Sequence, residues 1–386
     1  MNAGAKFADA TAHFNERMST RIAFLIAGLL MSAWAPLVPL VKERVGLDDG
    51  SLGLLLLGLG GGSIAAMPFA GYLTAHYGCR PVIIGATAAL CVVLPVLSTV
   101  VWLPGLVIAV ILFGGSMGML DCAMNIQSVI VEKHSGQALQ SGFHGLYSVG
   151  GILGAGTMTA LLTVGLDPLT ATLVIVAAVL AALYKAAPAL LRYGTERGGP
   201  LFAVPRGIVL LLGMLCFIIF LTEGVMLDWS AVFLVSNRGL DSSIAGLGYA
   251  AFAAAMTVGR LTGDAIVSKL GGVRVIALGG LCAAAGMLVS LGVDGWPASL
   301  IGYALVGAGC SNIVPVIFTA VGRQQRMPQA VAIPAVISMG YAGILIGPVL
   351  IGAIAHLSSL SVAMSGLIAL MVFVSATARL IRHSPS

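Results

Sequence analysis

Asp121 and Asn125 are the residues of this chain whose types and spacing best fit proton chemistry. Both stand inside an apolar run, and a spacing of four places them on the same face of a helix. Burial away from water disfavours the charged form of a carboxyl group, which suits a group that takes up and releases a proton. The pair therefore predicts a proton-handling site, with a structural hydrogen bond between helices as the alternative.

A second pair of carboxyl groups, Glu223 and Asp228, lies in another apolar run. Five residues turn a helix through about 140°, so the two side chains cannot share a face of a regular helix. Glu223 is the deeper of the two and is a second candidate for proton coupling. Asp228 adjoins Trp229, and an interfacial cap or gate contact explains it as well as a functional site does.

Several uncharged or weakly basic residues in apolar runs are candidates for binding a polar ligand. His144 and Tyr147 stand one helical turn apart. Asn125 is 11 residues before Gly136 and Tyr147 is 11 residues after it, so a helical hairpin centred on Gly136 places the two at the same depth. Histidine titrates near physiological pH, although a lone histidine is more often a packing or gate residue. The further candidates are Gln127, Asn312, Tyr341 and Trp34, and membrane packing is the favoured interpretation of the last.

Composition shows what kind of element must position these side chains. Charged residues make up 9% of the 386 residues and hydrophobic residues 59%, whereas soluble domains carry about 25% charged residues. Such a chain cannot cover a water-facing surface, which excludes a soluble globular enzyme, a disordered chain and a coiled coil. It predicts an all-α membrane protein in which each crossing uses about 20 residues.

Twelve apolar runs, each ended by turn or charge signals, predict twelve transmembrane helices, which we number as spans 1 to 12. The runs cover residues 21–41, 51–75, 81–102, 105–131, 141–164, 169–190, 207–234, 244–267, 275–293, 298–321, 329–354 and 362–381. Asp121 then lies in span 4, about ten residues or roughly 15 Å from the cytoplasmic end. An ionisable group at such depth must face a cavity or a partner.

The longest internal stretch with few apolar residues covers residues 191–206 and separates two sets of six spans. We therefore predict an N-terminal cytoplasmic tail at 1–20, a six-helix bundle at 21–190, a cytoplasmic linker at 191–206 and a second six-helix bundle at 207–386 with a short cytoplasmic tail. Span 10 matches span 4 in this repeat. We expect Asn312 and Asn125 to face each other across a central cavity.

Lysine and arginine residues predict the orientation. With the N-terminus in the cytoplasm, 16 of the 19 lie on or near the cytoplasmic side, and only Lys42, Arg44 and Arg238 lie outside. The positive-inside rule then places both termini in the cytoplasm. The basic charge thus reports topology, and we expect no nucleic-acid partner.

Other classes of function lack the residues they need. The six histidines are dispersed, with no H-E-x-x-H sequence or His/Cys cluster, and the six cysteines form no C-x-x-C pair. This argues against a membrane enzyme and a metal site, and the absence of a P-loop sequence argues against ATP-driven pumping. The lack of a sizeable soluble domain argues against a sensor. We expect no cofactor.

Local motifs resemble those of the major facilitator superfamily. Residues 71–81, GYLTAHYGCRP, look like its G-x-L-a-D-r-x-G-r-r loop, with Ala75 at the acidic position, and residues 259–264, GRLTGD, open the matching loop of the second half. Asp121 and Asn125 are similar to span 4 of the fucose permease-type sugar:proton symporters. Residues 121–151, 223–230 and 307–315 look still more like a poorly characterised bacterial inner-membrane branch near those permeases.

The resemblance implies a secondary active transporter of the bacterial inner membrane that moves a small polar solute, with sugars as one candidate class, by alternating access. Proton coupling would use Asp121 and Glu223. Gating residues would be Arg80, Asp228, Arg260 and Asp264, and the last two fit a latch between the halves better than a solute site. We expect the solute, protons and membrane lipid as partners, and a monomer.

The alternative within the class is a proton-driven exporter or antiporter of a drug or metabolite. Drug:proton antiporters often carry a G-P-x-x-G-G sequence in span 5. Span 5 here contains residues 148–154, SVGGILG, without proline. This disfavours a typical drug antiporter.

Overall fold

Apolar sequence can satisfy its backbone hydrogen bonds in a lipid bilayer only as a helix or a closed barrel. The computed structural model describes residues 3–195 and 203–383, and within them the chain forms helices and no strand. The α-helices are α1 (Ala3–Ala33), α2 (Val38–Val45), α3 (Asp49–Tyr77), α4 (Cys79–Thr99), α5 (Leu103–Ser135), α6 (Gln140–Thr163), α7 (Pro168–Ala186), α8 (Ile208–Arg238), α9 (Leu247–Leu270), α10 (Gly272–Gly292), α11 (Trp296–Cys310), α12 (Ile313–Arg323), α13 (Gln329–Leu357) and α14 (Leu360–Thr377).

Twelve segments of the described chain are long and apolar enough to cross a membrane, which confirms the predicted all-α fold with twelve spans. Spans 1 and 10 each contain two helices, α1 with α2 and α11 with α12. The predicted starts of the spans agree with the observed starts to within three residues, except for the first. Polar turns and glycines between apolar runs therefore locate the helix ends well.

The predicted tail is helical where the structure describes it. α1 begins at Ala3 and runs without interruption from this segment into span 1. The hydroxyl groups of Ser19 and Thr20 donate to the carbonyl oxygen of Glu16, at 2.9 and 2.7 Å, as such groups do inside a helix. Residues 196–202 of the predicted linker lie outside the described residues.

Aspartates in the turns begin three helical segments. Asp48 accepts a hydrogen bond from the backbone N–H of Ser51 at 2.6 Å, and Asp167 accepts from Leu169 and Thr170 at 3.1 Å each. Asp241 accepts from the backbone N–H of its own turn in the same way. Because these bonds favour the ionised carboxylate, the bond from Ser51 lowers the pKa of Asp48 below its ordinary value.

Two spans are broken near their middles. Trp34 and a 3-10 turn that contains Pro36 separate α1 from α2. Ser311 and Asn312 separate α11 from α12. Breaks of this kind leave backbone groups without helical partners, and in membrane transporters they frequently lie beside binding sites.

The chain forms two compact units. The first contains Met1–Gln137, Leu146–Ala203 and Pro328–Ala335, and the second contains Ala138–Gly145, Val204–Met327 and Val336–Ser386. The first turns of α6 thus belong with the second unit, and the first turns of α13 belong with the first.

Two arginines on the side of the membrane with few basic residues bind the ends of helices. In the first unit, Nη1 of Arg44 lies 3.5 and 3.4 Å from the carbonyl oxygens of Leu97 and Val100, at the end of α4. In the second unit, Nη2 of Arg238 donates to two carbonyl oxygens at the end of α10, at 2.8 and 2.9 Å. Cations stabilise helix C-termini, which explains why these two arginines lie on the side that has few basic residues.

Close packing in the first unit depends on glycine. Gly28 of α1 lies against the backbone of α6, and a Cβ atom there would collide with the carbonyl oxygen of Tyr147. Gly150 of α6 has the same relation to the backbone of α1 at Leu25. The two helices therefore meet at backbone contact, as small residues allow in membranes.

Replacement of Gly28 by alanine is expected to lower the melting temperature of the detergent-solubilised protein, since the two helices must separate by the radius of a methyl group. The cost is of the order of 1–3 kcal/mol, as for other overpacked sites. Gly61→Ala is the matched control, because a Cβ atom at Gly61 of α3 meets no atom within 4 Å. Equal melting temperatures for the two variants would contradict this account of the packing.

Candidate functional site

Asp121 and Asn125 lie near the middle of α5 and are joined by hydrogen bonds. The Nδ2 group of Asn125 donates to the backbone carbonyl oxygen of Asp121 at 2.8 Å and to its Oδ1 at 3.1 Å. Asp121 is half-buried, whereas its neighbours Leu120 and Cys122 are fully buried. One face of α5 therefore carries a carboxyl group that is held by an amide inside an apolar helix.

The acceptor atom of Asn125 adds to this site. Asn125 is 1% exposed, and its Oδ1 has no hydrogen-bond partner among the described residues. Buried polar atoms are nearly always paired, and an unpaired one marks a place where a ligand, an ion or water fits. Asp121 and Asn125 together thus offer a proton-binding group and an acceptor for a donor group.

Contacts between helices show which residues share the level of Asp121 in the first unit. α1 runs antiparallel to α5, because Thr20 is hydrogen-bonded to Gln127 and the ring of Trp34 lies 6.3 Å from that of Phe113. This register places Asp121 level with Ile26 of α1. Since Gly28 packs against Tyr147, Tyr147 lies within about one helical turn of that level, as the hairpin count predicts.

Trp34 lies farther along the same unit, at the break between α1 and α2. Its contact residue Phe113 precedes Asp121 by eight residues, or about 12 Å along α5. Trp34 is 4% exposed, and its indole Nε1 has no hydrogen-bond partner among the described residues. The indole N–H of Trp34 is therefore a second polar group of this unit, separate from the carboxyl group of Asp121.

Gln127 is occupied by structural contacts. Its Nε2 donates to the hydroxyl oxygen of Thr20 at 2.9 Å, and its Oε1 accepts from the backbone N–H of Leu191 at 3.1 Å. The side chain is completely buried. Gln127 therefore ties α1, α5 and the segment after α7 together, and we do not retain it as a solute ligand.

Arg80 lies where this segment meets the start of α4. The backbone N–H groups of Cys79 and Arg80 donate to the carbonyl oxygens of Tyr193 and Leu191, at 3.2 and 2.8 Å. These donors belong to the first turn of a helix, where N–H groups have no helical partner. The segment that follows α7 therefore caps α4 and fixes the position of the motif that contains Arg80.

In the second unit, Glu223 and Arg260 form an ion pair that sequence reasoning missed. Glu223 stands midway along α8, and its Oε1 accepts a hydrogen bond from Nη2 of Arg260 at 3.0 Å. The side chains are 21% and 9% exposed. Arg260 was expected to act in a latch with Asp264, and the structure gives it a carboxylate partner on another helix.

Asn312 directly follows Ser311, which is a second contact of Arg260. Nε of Arg260 lies 3.4 Å from the carbonyl oxygen of Ser311, at the break between α11 and α12. Nδ2 of Asn312 donates to the carbonyl oxygen of Gly259 and to Oγ of Ser311, at 3.0 Å each. Asn312 is 6% exposed, and its Oδ1 has no hydrogen-bond partner among the described residues.

Asp264 is bound to the first turn of α6. Its Oδ1 accepts a hydrogen bond from the backbone N–H of Gly142 at 3.0 Å. Gly263 lies against Ser141, and Gly145 lies against Leu261. A carboxylate at a helix N-terminus is stabilised both by the unpaired N–H groups and by the helix dipole.

The other predicted residues of the second unit are dispersed. The ring of His144 stacks on Phe318 with centroids 5.5 Å apart, so that His144 clusters with the second unit while Tyr147 belongs to the first. The ring of Tyr341 lies 6.2 Å from that of Phe220. Asp228 is exposed. No group of three or more possible metal ligands occurs among the described residues.

Comparisons with known proteins agree with this architecture. The family model described as Major Facilitator Superfamily matches residues 21–328. An uncharacterised MFS-type transporter of Yersinia pestis is 54% identical over 366 residues, which cover 95% of each chain.

Solved structures resemble the fold at low sequence identity. The transporter FucP in its outward conformation has a TM-score of 0.80 at 17% identity, over 96% of this chain and 99% of FucP. The proton:xylose symporter XylE, bound to 6-bromo-6-deoxy-D-glucose, has a TM-score of 0.74 at 15% identity, over 97% and 96% of the two chains.

Proposed function

Because this chain belongs to the Major Facilitator Superfamily and is a multi-pass membrane transporter, we propose that it is a proton-coupled secondary transporter of a small polar solute. In this proposal Asp121 binds the coupling proton and the solute crosses by alternating access. A proton binds from one side, the solute binds, the transporter changes state, and both are released on the other side. We further propose the bacterial inner membrane as its location, with both termini in the cytoplasm and a monomer as the working unit.

The observation that carries the proposal is the carboxyl group of Asp121 near the middle of α5, bonded to an amide whose own acceptor is buried and unpaired. An ionisable residue inside a span is expensive, by roughly 2.5–3.5 kcal/mol on insertion scales. A purely structural bond between α5 and a neighbour would leave no buried acceptor open. A site that binds a proton and a donor group accounts for both features.

We assign the solute contacts to polar and aromatic residues of the two units. Asn125, Tyr147 and Trp34 serve in the first unit, and Asn312, Tyr341 and His144 serve in the second. Each supplies a hydrogen-bonding group or an aromatic ring, which are the features that orient a small polar molecule.

Resemblance to symporters favours uptake over the antiport alternative. The fucose permease-like residues Asp121 and Asn125, and the likeness of the fold to a proton:xylose symporter, support coupling of a sugar-like solute to protons. No feature of the site supports a drug antiporter, and we do not carry that alternative forward.

Uptake into proteoliposomes tests the proposal directly. With an imposed pH gradient, acidic outside, purified protein is expected to accumulate at least one member of a panel of sugars and organic acids above its external concentration. Collapse of the gradient with a protonophore should abolish accumulation. Equal uptake with and without the gradient, for every compound that enters, would rule out proton coupling.

Asp264 is proposed to hold one of the two access states through its bond to Gly142. Asp264→Asn removes the charge that the start of α6 attracts, so we expect the equilibrium between inward- and outward-open states to shift several-fold and the transport rate to change. Double electron–electron resonance between spin labels on the two halves measures the populations. Asp241→Asn, which alters an exposed turn carboxylate, is the control. Unchanged populations and rates in Asp264→Asn would refute the latch.

A further inference from the structure

The ion pair between Glu223 and Arg260 is an unusual feature for a transporter whose solute carries no charge. Both groups lie in the interior of their helices, and charges at membrane depth face a partner or a water-filled path rather than lipid. A buried pair is weak evidence for stability, because desolvation offsets most of the attraction. Neutral sugars could be bound by amides and hydroxyl groups alone, so the guanidinium group requires another explanation.

Two contacts of Arg260 differ in quality. Nη2 holds Oε1 of Glu223 at 3.0 Å, whereas Nε reaches the carbonyl oxygen of Ser311 at 3.4 Å, which is long for a bond from a charged donor. A guanidinium group binds a carboxylate best through two parallel bonds. A second carboxylate that approached from the side of Ser311 would meet Nε with better geometry than the backbone oxygen does.

The unpaired acceptor of Asn312 indicates what lies beside that carboxylate. Oδ1 cannot exchange places with Nδ2 without loss, since Nδ2 donates to Gly259 and Ser311 at 3.0 Å each. Oδ1 therefore stays an acceptor, is buried, and requires a donor. Oδ1 lies against Gly263, which is three residues after Arg260 on α9, so that donor stands within about one helical turn of Arg260.

We propose that the solute is a small hydroxy acid, with sugar acids among the candidates, whose carboxylate binds Arg260 while an adjacent hydroxyl group donates to Oδ1 of Asn312. This assignment rests on the proposed function and names its substrate class. Glu223 takes up a proton from the aqueous phase and releases Arg260, and the solute carboxylate then replaces it. When the solute leaves, Glu223 gives up the proton and pairs with Arg260 again, so that no net charge is left in the site. The proton on Glu223 moves with the monoanion in addition to the coupling proton on Asp121.

Other titratable groups surround this pair. His144 interacts electrostatically with Arg260, Tyr249 with Glu223, Arg260 and Asp228, and Cys310 with Glu223 and Arg260. The pH dependence of binding must therefore be assigned through variants of the pair rather than from the wild-type profile alone.

Equilibrium binding to the detergent-solubilised full-length protein tests the assignment, with D-gluconate, D-glycerate and L-lactate as acids and D-glucose as the neutral probe. We expect the acids to raise the melting temperature and glucose not to. Arg260→Gln should weaken acid binding by on the order of tenfold or more, and Arg260→Lys should restore part of it. Failure of every acid to bind, or binding of glucose with an affinity that Arg260→Gln leaves unchanged, overturns the inference.

Glu223→Gln is the more decisive variant, because the proposal predicts that it binds the acid more tightly. Without the competing carboxylate, the protein should bind gluconate on the order of tenfold more tightly at neutral pH, with affinity that no longer rises as the pH falls. Asn312→Ala should weaken lactate binding but not binding of propionate, which lacks the hydroxyl group. Unchanged gluconate affinity in Glu223→Gln contradicts the proposal, even if Arg260→Gln does not fold.

Uptake distinguishes this inference from the proposed function. Proton-driven accumulation of glucose without binding of any acid would refute the substrate class and leave the transporter proposal intact. Acid binding with the expected variant pattern, but without accumulation under a pH gradient, would support the substrate class and refute proton coupling.

Discussion

Asp121→Asn is expected to abolish the part of solute accumulation that the proton on Asp121 drives, while exchange of labelled for unlabelled solute continues. Asparagine keeps the size and hydrogen-bonding capacity of the side chain, and can still bond to Asn125, but it binds no proton. A gradient of about one pH unit stores about 1.4 kcal/mol per proton, which is enough for roughly tenfold accumulation at one proton per solute. The variant should lose this tenfold factor, so that only the accumulation driven by the proton on Glu223 remains.

The matched control for this experiment is Asp167→Asn, which makes the same chemical change at an exposed helix cap. Asparagine also caps helices well, so transport should be unaffected. Counterflow must be measured on the same vesicles, because loss of both activities would indicate a misfolded protein. Full accumulation by Asp121→Asn would remove Asp121 from the coupling mechanism.

Local features of the sequence predicted the elements and the first half of the site. Apolar runs and their turn residues located the spans, since a helix in lipid satisfies its own backbone and needs no distant partner. Asp121 and Asn125 were paired correctly because a spacing of four along one helix brings two side chains together whatever surrounds them.

Contacts between distant segments were the part that local reasoning did not reach. Gln127 is buried and polar, as a solute ligand would be, yet its partners Thr20 and Leu191 are 107 and 64 residues away. Arg260 was predicted to act in a latch with Asp264, whereas its partner Glu223 is 37 residues away.

A simple count would have found the ion pair. The hairpin argument applied to Gly136 can also be applied to the turn at Asp241, and it places Glu223 and Arg260, 18 and 19 residues away, at the same depth. Opposite charges at equal depth on adjacent antiparallel spans predict a pair. The clustering of His144 with the second unit had no such signal, because it depends on how the start of α6 packs rather than on its own sequence.

Neutralising one member of the Glu223–Arg260 pair is expected to destabilise the protein more than neutralising both. Glu223→Gln leaves the guanidinium group buried without its counter-ion, and Arg260→Gln leaves the carboxylate in the same situation, at a cost of about 3–5 kcal/mol each. The double variant buries two neutral amides that can bond to each other. Its melting temperature should therefore recover most of the loss, and the coupling energy of the cycle should be large and of stabilising sign.

The ion pair between Arg238 and Asp294 in the same unit provides the control cycle, since its N–O distance is 3.4 Å and Asp294 is fully exposed. Arg238 keeps its bonds to the carbonyl oxygens of Ser290 and Leu291, so Asp294→Asn should change the melting temperature little. Two outcomes would show that Glu223 and Arg260 do not depend on each other as counter-ions. Either the two single variants of the buried pair would melt near wild type, or their effects would simply add in the double variant. Arg260 would then lose its place as the partner of a solute carboxylate, because that place depends on a guanidinium group that must always have an anion beside it.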